Sequence, residues 1–171
     1  MQRLRGKVVL IDFWAYSCIN CLRTLPHVTH WYDTYKDKGF VVVGVHAPEF
    51  EFEKDPANVE RAVKQFGIHY PVAMDNDRQT WAAWHNQYWP EEYLVNRAGE
   101  VVATHIGEGG YAEMENAIRR HLGLSALTSV VDADADLAKI GSPEMDFGLY
   151  FQLKNLANPA DDPKQINDYR A

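Results

Sequence analysis

The sequence predicts an α/β fold built on a mixed β-sheet. Two runs, 7–14 (KVVLIDFW) and 40–46 (FVVVGVH), are apolar on both faces and rich in β-branched residues, as buried parallel strands are. A helical segment separates them. Later, Arg97-Ala98-Gly99-Glu100 divides two strand-like runs, a hairpin signal, and an amphipathic segment follows. Parallel strands joined by a helix, then a hairpin and a closing helix, give parallel and antiparallel pairs in one sheet.

The elements follow in order. After the first strand, Ser17 is the expected N-cap of a helix over 18–36, with Pro26 inside it and expected to kink it. The second strand leads into an acidic loop over 47–56 carrying Glu49, Glu51, Glu53 and Asp55, expected to be solvated or, less simply, partner-facing. A helix over 57–66 ends near Gly67, and 69–74 is a short strand. A helix over 78–87 opens a stretch containing Trp81, Trp84 and Trp89. Strands over 92–96 and 101–106 precede a glycine loop (Gly107, Gly109, Gly110) and a helix over 111–122 stopped by Gly123.

The character changes after Leu124, where Ser142-Pro143, Asn158-Pro159 and Asp162-Pro163 are turn signals with weak periodicity between them. One domain over 1–124 and an extension over 125–171, the start of a further module, are the expected organisation of the 171 residues. Asp132, Asp134 and Asp136 imitate a calcium loop but lack its Gly and its closing Glu, so a solvated acidic turn is expected.

Composition excludes several classes. The chain is 46% hydrophobic and 12% aromatic, which is globular rather than disordered. Its formal net charge is -7 with no basic cluster, so nucleic acid is not an expected partner. No run approaches the roughly 18 to 20 apolar residues of a membrane helix. Two cysteines three positions apart are functional usage, not a stapled scaffold.

Cys18-Ile19-Asn20-Cys21 opens a helix after a buried strand. The helix N-terminus carries about half a positive charge and unpaired N–H groups, which favour a thiolate. Cys18 is the expected nucleophile on a disulfide. Cys21, one turn on, is the expected resolving thiol. A zinc site is disfavoured: His27 lies about 9 Å along the axis from Cys21, and there is no second cysteine pair. A bridge closing so short a loop would stabilise little. No metal and no cofactor beyond the Cys18–Cys21 couple are expected.

Asp12 interrupts the first strand six residues before Cys18. A carboxylate there is expensive unless paired or protonated. It reads as a proton acceptor for Cys21 or as a strand-end Asp satisfied locally. Trp14 either shields the site or is ordinary core. Trp89-Pro90 precedes a strand and is either a cis bond or a trans proline at a strand's first residue.

Asp12-Phe13-Trp14-Ala15, Cys18-x-x-Cys21 and Pro26 together resemble the active-site region of the thioredoxin superfamily. The acid stands six before the first cysteine, the Trp four before it, and the Pro five after the second. The resemblance implies a three-layer sandwich, a central mixed sheet flanked by helices. It also implies that Pro90 is a cis-proline facing the cysteines and binding extended substrate. Trp14, Tyr16, Trp89, Pro90 and Glu91 are then the site-shaping residues.

A narrower likeness, over about 5–122, rests on Cys18-Ile19-Asn20-Cys21, Gly44-Val45-His46-Ala47-Pro48-Glu49-Phe50, Tyr88-Trp89-Pro90 and His105-Ile106-Gly107-Glu108-Gly109. It is similar to the thioredoxin-like domain of DipZ proteins, in the TlpA-like, CcdA-linked branch. That likeness implies an extracytoplasmic, membrane-tethered domain that reduces protein disulfides with electrons from a CcdA-like membrane partner. Glu91 stands where thioredoxins often have Thr; a carboxylate near the sulfurs disfavours a thiolate. With the Ile19-Asn20 spacer, this implies a reducing to intermediate potential. The competing readings are a thiol peroxidase, for which Tyr16-Ser17 lacks the usual Pro and Thr, and a binding module indifferent to the redox state of Cys18.

Overall fold

The computed structural model describes residues 2–127. The expectations for the extension beyond 127, with its acidic turn, lie outside the described residues. Five strands form one mixed sheet: β1 (Val8–Trp14), β2 (Phe40–His46), β3 (Val72–Met74), β4 (Glu91–Val95) and β5 (Val101–Ile106). Their spatial order is β3-β2-β1-β4-β5. β1 pairs with β2 and β2 with β3 in parallel; β4 is antiparallel to β1 and to β5.

β1 is central, which is why all seven of its residues are buried and why its sequence shows no alternation. Its side chains still alternate between two cores. Val8, Leu10 and Trp14 pack with Leu25 and Val28 of α1 (Ile19–Tyr35), Val59 of α2 (Pro56–Gln65) and Ile118 of α4 (Tyr111–Leu122). Val9, Ile11 and Phe13 pack with Tyr93 and Val95, covered by Trp81 and Trp84 in and after α3 (Gln79–Ala83). Helices on both faces make the three-layer sandwich that the sequence implies. Each fully buried aliphatic side chain contributes about 1.5–3 kcal/mol to holding it.

Several boundaries differ from expectation, each for a local reason. Ser17 is not the N-cap of α1. Cys18 is, with extended φ/ψ, and its sulfur accepts from the Cys21 amide at 3.2 Å. α1 runs through Pro26 to Tyr35. α3 is five residues rather than ten. Asp75 caps its start by accepting from the Thr80 and Trp81 amides, and His85, at φ 55°, ends it. The expected strand over 69–74 pairs only at Val72–Met74.

The acidic loop is not simply solvated: a 3-10 turn over Glu51–Lys54 places Glu53 at 0% exposure. Gly44 has a packing reason to be glycine. A Cβ there would meet Trp14 Nε1 at 3.0 Å and Tyr70 Cε2 at 3.1 Å.

Candidate active site

The parallel strands β1 and β2 end at the same edge of the sheet, and the site is built on that edge. The chain leaves β1 at Trp14 and reaches Cys18 within four residues. Three groups hold this short link. The Tyr16 amide donates to His46 Nε2 at 3.3 Å, at the end of β2. The His46 ring stacks on Tyr16 at 5.6 Å. The Ser17 hydroxyl and amide donate to Glu53 Oε1 at 2.6 and 3.2 Å.

Glu53 also accepts from the Glu49 and Phe50 amides at 2.6 and 3.0 Å through its other oxygen. One buried carboxylate therefore ties the cysteine loop to the 47–54 loop. Burial lowers the His46 pKa to about 4, so the ring is neutral at pH 7 and its Nε2 accepts while Nδ1 carries the proton. Glu53→Ala is expected to lower unfolding stability by about 3 kcal/mol or more, because several donors lose a charged acceptor together. Urea unfolding checks this; an unchanged midpoint would refute the tie.

Both cysteines are free thiols, Cys18 half-buried and Cys21 buried. They are electrostatically unequal. A hydrogen bond from the Cys21 thiol pulls the Cys18 pKa below its ordinary value. Burial opposes this, the Cys21 and Asn20 amides support it, and the Glu49 charge opposes it. Cys21 is pushed far up, first by burial, then by the Cys18 sulfur, and further by the charge of Asp12. So Cys18 is the thiol that ionises and Cys21 the one that holds its proton. The carboxylate that acts on Cys18 is Glu49, not Glu91 as expected from the sequence. Glu91 is occupied elsewhere: it accepts from the Gln87 and Tyr88 amides at 3.0 and 3.3 Å and from the Tyr93 hydroxyl at 2.7 Å.

Asp12 lies in the middle of β1 at 1% exposure. Burial raises its pKa to about 7. Its Oδ2 has no hydrogen-bond partner among the described residues, so the alternative of a locally satisfied carboxylate does not describe that atom. A carboxyl with a pKa near neutrality is suited to take and return a proton.

Trp14 is 0% exposed, edge-on to His46 at 5.2 Å, and is core rather than rim. Tyr16 is likewise 0% exposed, its hydroxyl donating to the Phe52 carbonyl at 3.1 Å. Both shape the site from beneath.

The Trp89–Pro90 bond is cis. Phe13 pairs with Glu91, so Pro90 stands beside the end of β1 where the chain turns toward Cys18. Trp89 Nε1 donates to the Ala47 carbonyl at 2.9 Å, and the Ala47 amide to the Trp14 carbonyl at 3.0 Å. The proline loop is thereby fastened to both parallel strands. Arg78 stacks over Trp89 and Trp81 at 4.9 and 5.6 Å and donates to the Pro48 carbonyl.

Known proteins resemble this chain in sequence and fold. The Redoxin family model matches residues 1–118. The chain belongs to the Redoxin family. DipZ of Mycobacterium tuberculosis is 53% identical over 122 residues, covering 71% of this chain but only 18% of DipZ. The thiol-disulfide oxidoreductase YkuV of Bacillus subtilis is 31% identical, covering 71% of this chain and 81% of YkuV. Among solved structures, a thioredoxin-like protein in its oxidised form superposes with a TM-score of 0.63 at 30% identity, covering 69% of this chain and 79% of that one. StoA of Bacillus subtilis, at 23% identity and TM-score 0.56 over 65% of this chain and 81% of its own, shares the fold. The chain spans less than a fifth of the length of DipZ and about four fifths of YkuV, the relative named a thiol-disulfide oxidoreductase.

Sequence reasoning missed Glu53, His46 and Glu49. Each is distant in sequence from Cys18, and each matters only because β2 ends beside β1. No residue spacing announces them. Glu92, the neighbour of Glu91, was also passed over, and it is buried at 1% exposure.

Proposed function

We propose that this Redoxin domain reduces disulfides in extracytoplasmic proteins, with Cys18 attacking and Cys21 resolving, on electrons supplied by a CcdA-like membrane carrier. The observation that carries the reading is the inequality of the two thiols: an accessible, acidified Cys18 at a helix cap above a buried, proton-retaining Cys21 next to Asp12. That is the division of labour that thiol–disulfide exchange needs. Attack requires a thiolate, and release of the mixed disulfide requires a second thiol deprotonated on demand.

The direction of electron flow is argued from charge. Cys18 gains stabilisation from amides and from Cys21 but faces Glu49, and the leading influences on it among the described residues include no Lys or Arg. A reduced form without a cation is not stabilised as a strong oxidant's is. The likeness to DipZ supports the extracytoplasmic setting and the membrane donor. No helix among the described residues is long and apolar enough to cross a membrane. The redox couple is the cysteine pair itself, with disulfide-containing proteins as substrates and no further cofactor.

Equilibration with glutathione tests this. A reduction potential between those of thioredoxin and protein disulfide isomerase, about −270 to −180 mV, is expected. A value near that of DsbA, about −120 mV, would overturn the reductant reading. Trapping in cells with Cys21→Ser should then capture the membrane donor and the substrates as mixed disulfides.

A further inference from the structure

Asp12 has company on its face of the sheet. Register places Asp12, Glu92 and His105 side by side on the neighbouring strands β1, β4 and β5. Directly opposed residues of an antiparallel pair have Cβ atoms about 4.5–5.5 Å apart. The residues two positions away on each strand, Leu10, Leu94 and Ala103, belong to the core beneath α1 and α4, so the row lies on that face too.

Asp12 and Glu92 are each 1% exposed. Neither Glu92 oxygen has a hydrogen-bond partner among the described residues. Glu92 Oε2 lies 3.7 Å from His105 Nδ1, and the His105 side chain is 21% exposed. The row thus begins at the carboxylate that acts on Cys21 and ends at the solvent-facing edge strand.

Two unpartnered buried carboxyls cost stability that an apolar pair would not. The surrounding groups do not neutralise them. β2 offers Gly44 opposite Asp12, with no side chain. Tyr70, ahead of β3, is buried with its hydroxyl unpartnered, and the charges of Asp12, Glu92 and Cys21 all act on it. α1 contributes Cys21. Glu113 of α4 acts on His105. Burial, and then the charge of Asp12, push the Glu92 pKa far up and so favour its protonated carboxyl. Burial lowers that of His105, so the ring is neutral there. A protonated carboxyl beside a neutral imidazole is a donor–acceptor pair ready to pass a proton on.

We propose that Glu92 and His105 carry the proton that Asp12 takes from Cys21 out to solvent at the β5 edge. The inference rests on the disulfide-reductase reading above. In resolution, Cys21 Sγ–H gives its proton to Asp12 and the Cys21 sulfur attacks Cys18 Sγ. The Cys18–Cys21 bond forms as the bond from Cys18 to the substrate sulfur breaks. The two cysteines have then lost two electrons to the substrate disulfide, whose sulfurs leave as thiolates and take protons from solvent. Asp12 passes its new proton to one Glu92 oxygen while the other gives its proton to His105, which releases one to water. Re-reduction of the pair runs the row in reverse.

The test is single-turnover resolution of a preformed mixed disulfide, followed from pH 5 to 9. Glu92→Gln, the same shape without a transferable carboxyl proton, is expected to slow it by about a hundredfold near neutral pH, the lower end of the range for one acid–base group. Glu92→Asp should keep most of the rate, and His105→Phe should reproduce the Glu92→Gln profile. Urea midpoints for Glu92→Gln at or above that of the parent protein are expected. A parent-like rate and pH profile in Glu92→Gln or in His105→Phe would overturn the path. So would equal slowing in Glu92→Gln and Glu92→Asp with lowered midpoints, which is what a structural role predicts. If instead Cys18→Ser still reduced disulfides, the reductase reading itself would fall, and this inference with it.

Discussion

Cys18→Ser is expected to reduce disulfide-reduction activity to background, whereas Cys21→Ser is expected to halt turnover with substrate attached. Serine in place of Cys18 keeps the helix cap but presents a hydroxyl, which does not ionise near neutral pH and forms no disulfide. The Cys21 amide that now bonds the Cys18 sulfur would bond the serine oxygen, so the fold should persist. Cys21→Ser leaves the nucleophile in place and sets a hydroxyl, still a hydrogen-bond donor to the Cys18 sulfur, where the resolving thiol stood. Cys18 should stay acidified and reactive at pH 6 to 7, the first attack should proceed, and each mixed disulfide should then persist because a hydroxyl does not displace it. Insulin reduction with dithiothreitol reads the first effect. Mass spectrometry of the trapped adduct, with the pH dependence of Cys18 alkylation, reads the second. Undiminished insulin reduction by Cys18→Ser would refute the assignment.

Asp12→Asn is expected to make the protein slower and more stable at once. The carboxyl pKa is about 7 in the folded state against an ordinary 3.8. A raised folded pKa means that the folded protein binds the proton more tightly than the unfolded chain does. That contribution is complete below about pH 4 and is lost as pH rises through about 7. The difference corresponds to roughly 4 kcal/mol of stability forgone above that window. Asparagine carries no charge at any pH, so Asp12→Asn should gain on the parent protein between pH 5 and 8 and match it more closely at pH 4. Urea unfolding at pH 5 and 8 measures the divergence.

Kinetically, loss of the base should slow resolution by about a hundredfold near neutral pH, the lower range for general base catalysis. Loss of stability at pH 8 would show that Asp12 supports the fold rather than the chemistry. Gain of stability with loss of rate is the mark of a residue kept for its function.

Much of this was legible in the chain. Buried strands are recognisable because a strand covered on both faces shows no alternation; β1 is buried throughout, while β2 leaves Val41 and Val43 partly exposed. Gly123 ends α4 with a left-handed φ of 78°, as its position implies. The cysteine pair was legible because its reach is local: three residues at a helix start bring two sulfurs together whatever the rest of the chain does. Short elements are less legible than long ones. α3 carried a helical pattern over ten residues, yet Asp75 and the left-handed His85 confine it to five, which is turn chemistry rather than periodicity.

Local order along the chain was sufficient for the strand–helix start of the sheet and for bringing Cys18, Cys21 and Asp12 close together. Each depends on residues within one strand–helix unit, where chain geometry sets the distances. Register across the sheet was not readable in this way. It sets Gly44 and Glu92 on either side of Asp12, so that no cation meets the carboxylate from those strands. It brings His46 and Glu53 to the cysteine loop and assigns Glu49, not Glu91, to the electrostatics of Cys18. A one-residue slip in pairing would turn Asp12, His46 and Glu92 to the other face. β4, buried along its whole length with Glu91 and Glu92 adjacent, leaves the choice of face to tertiary packing.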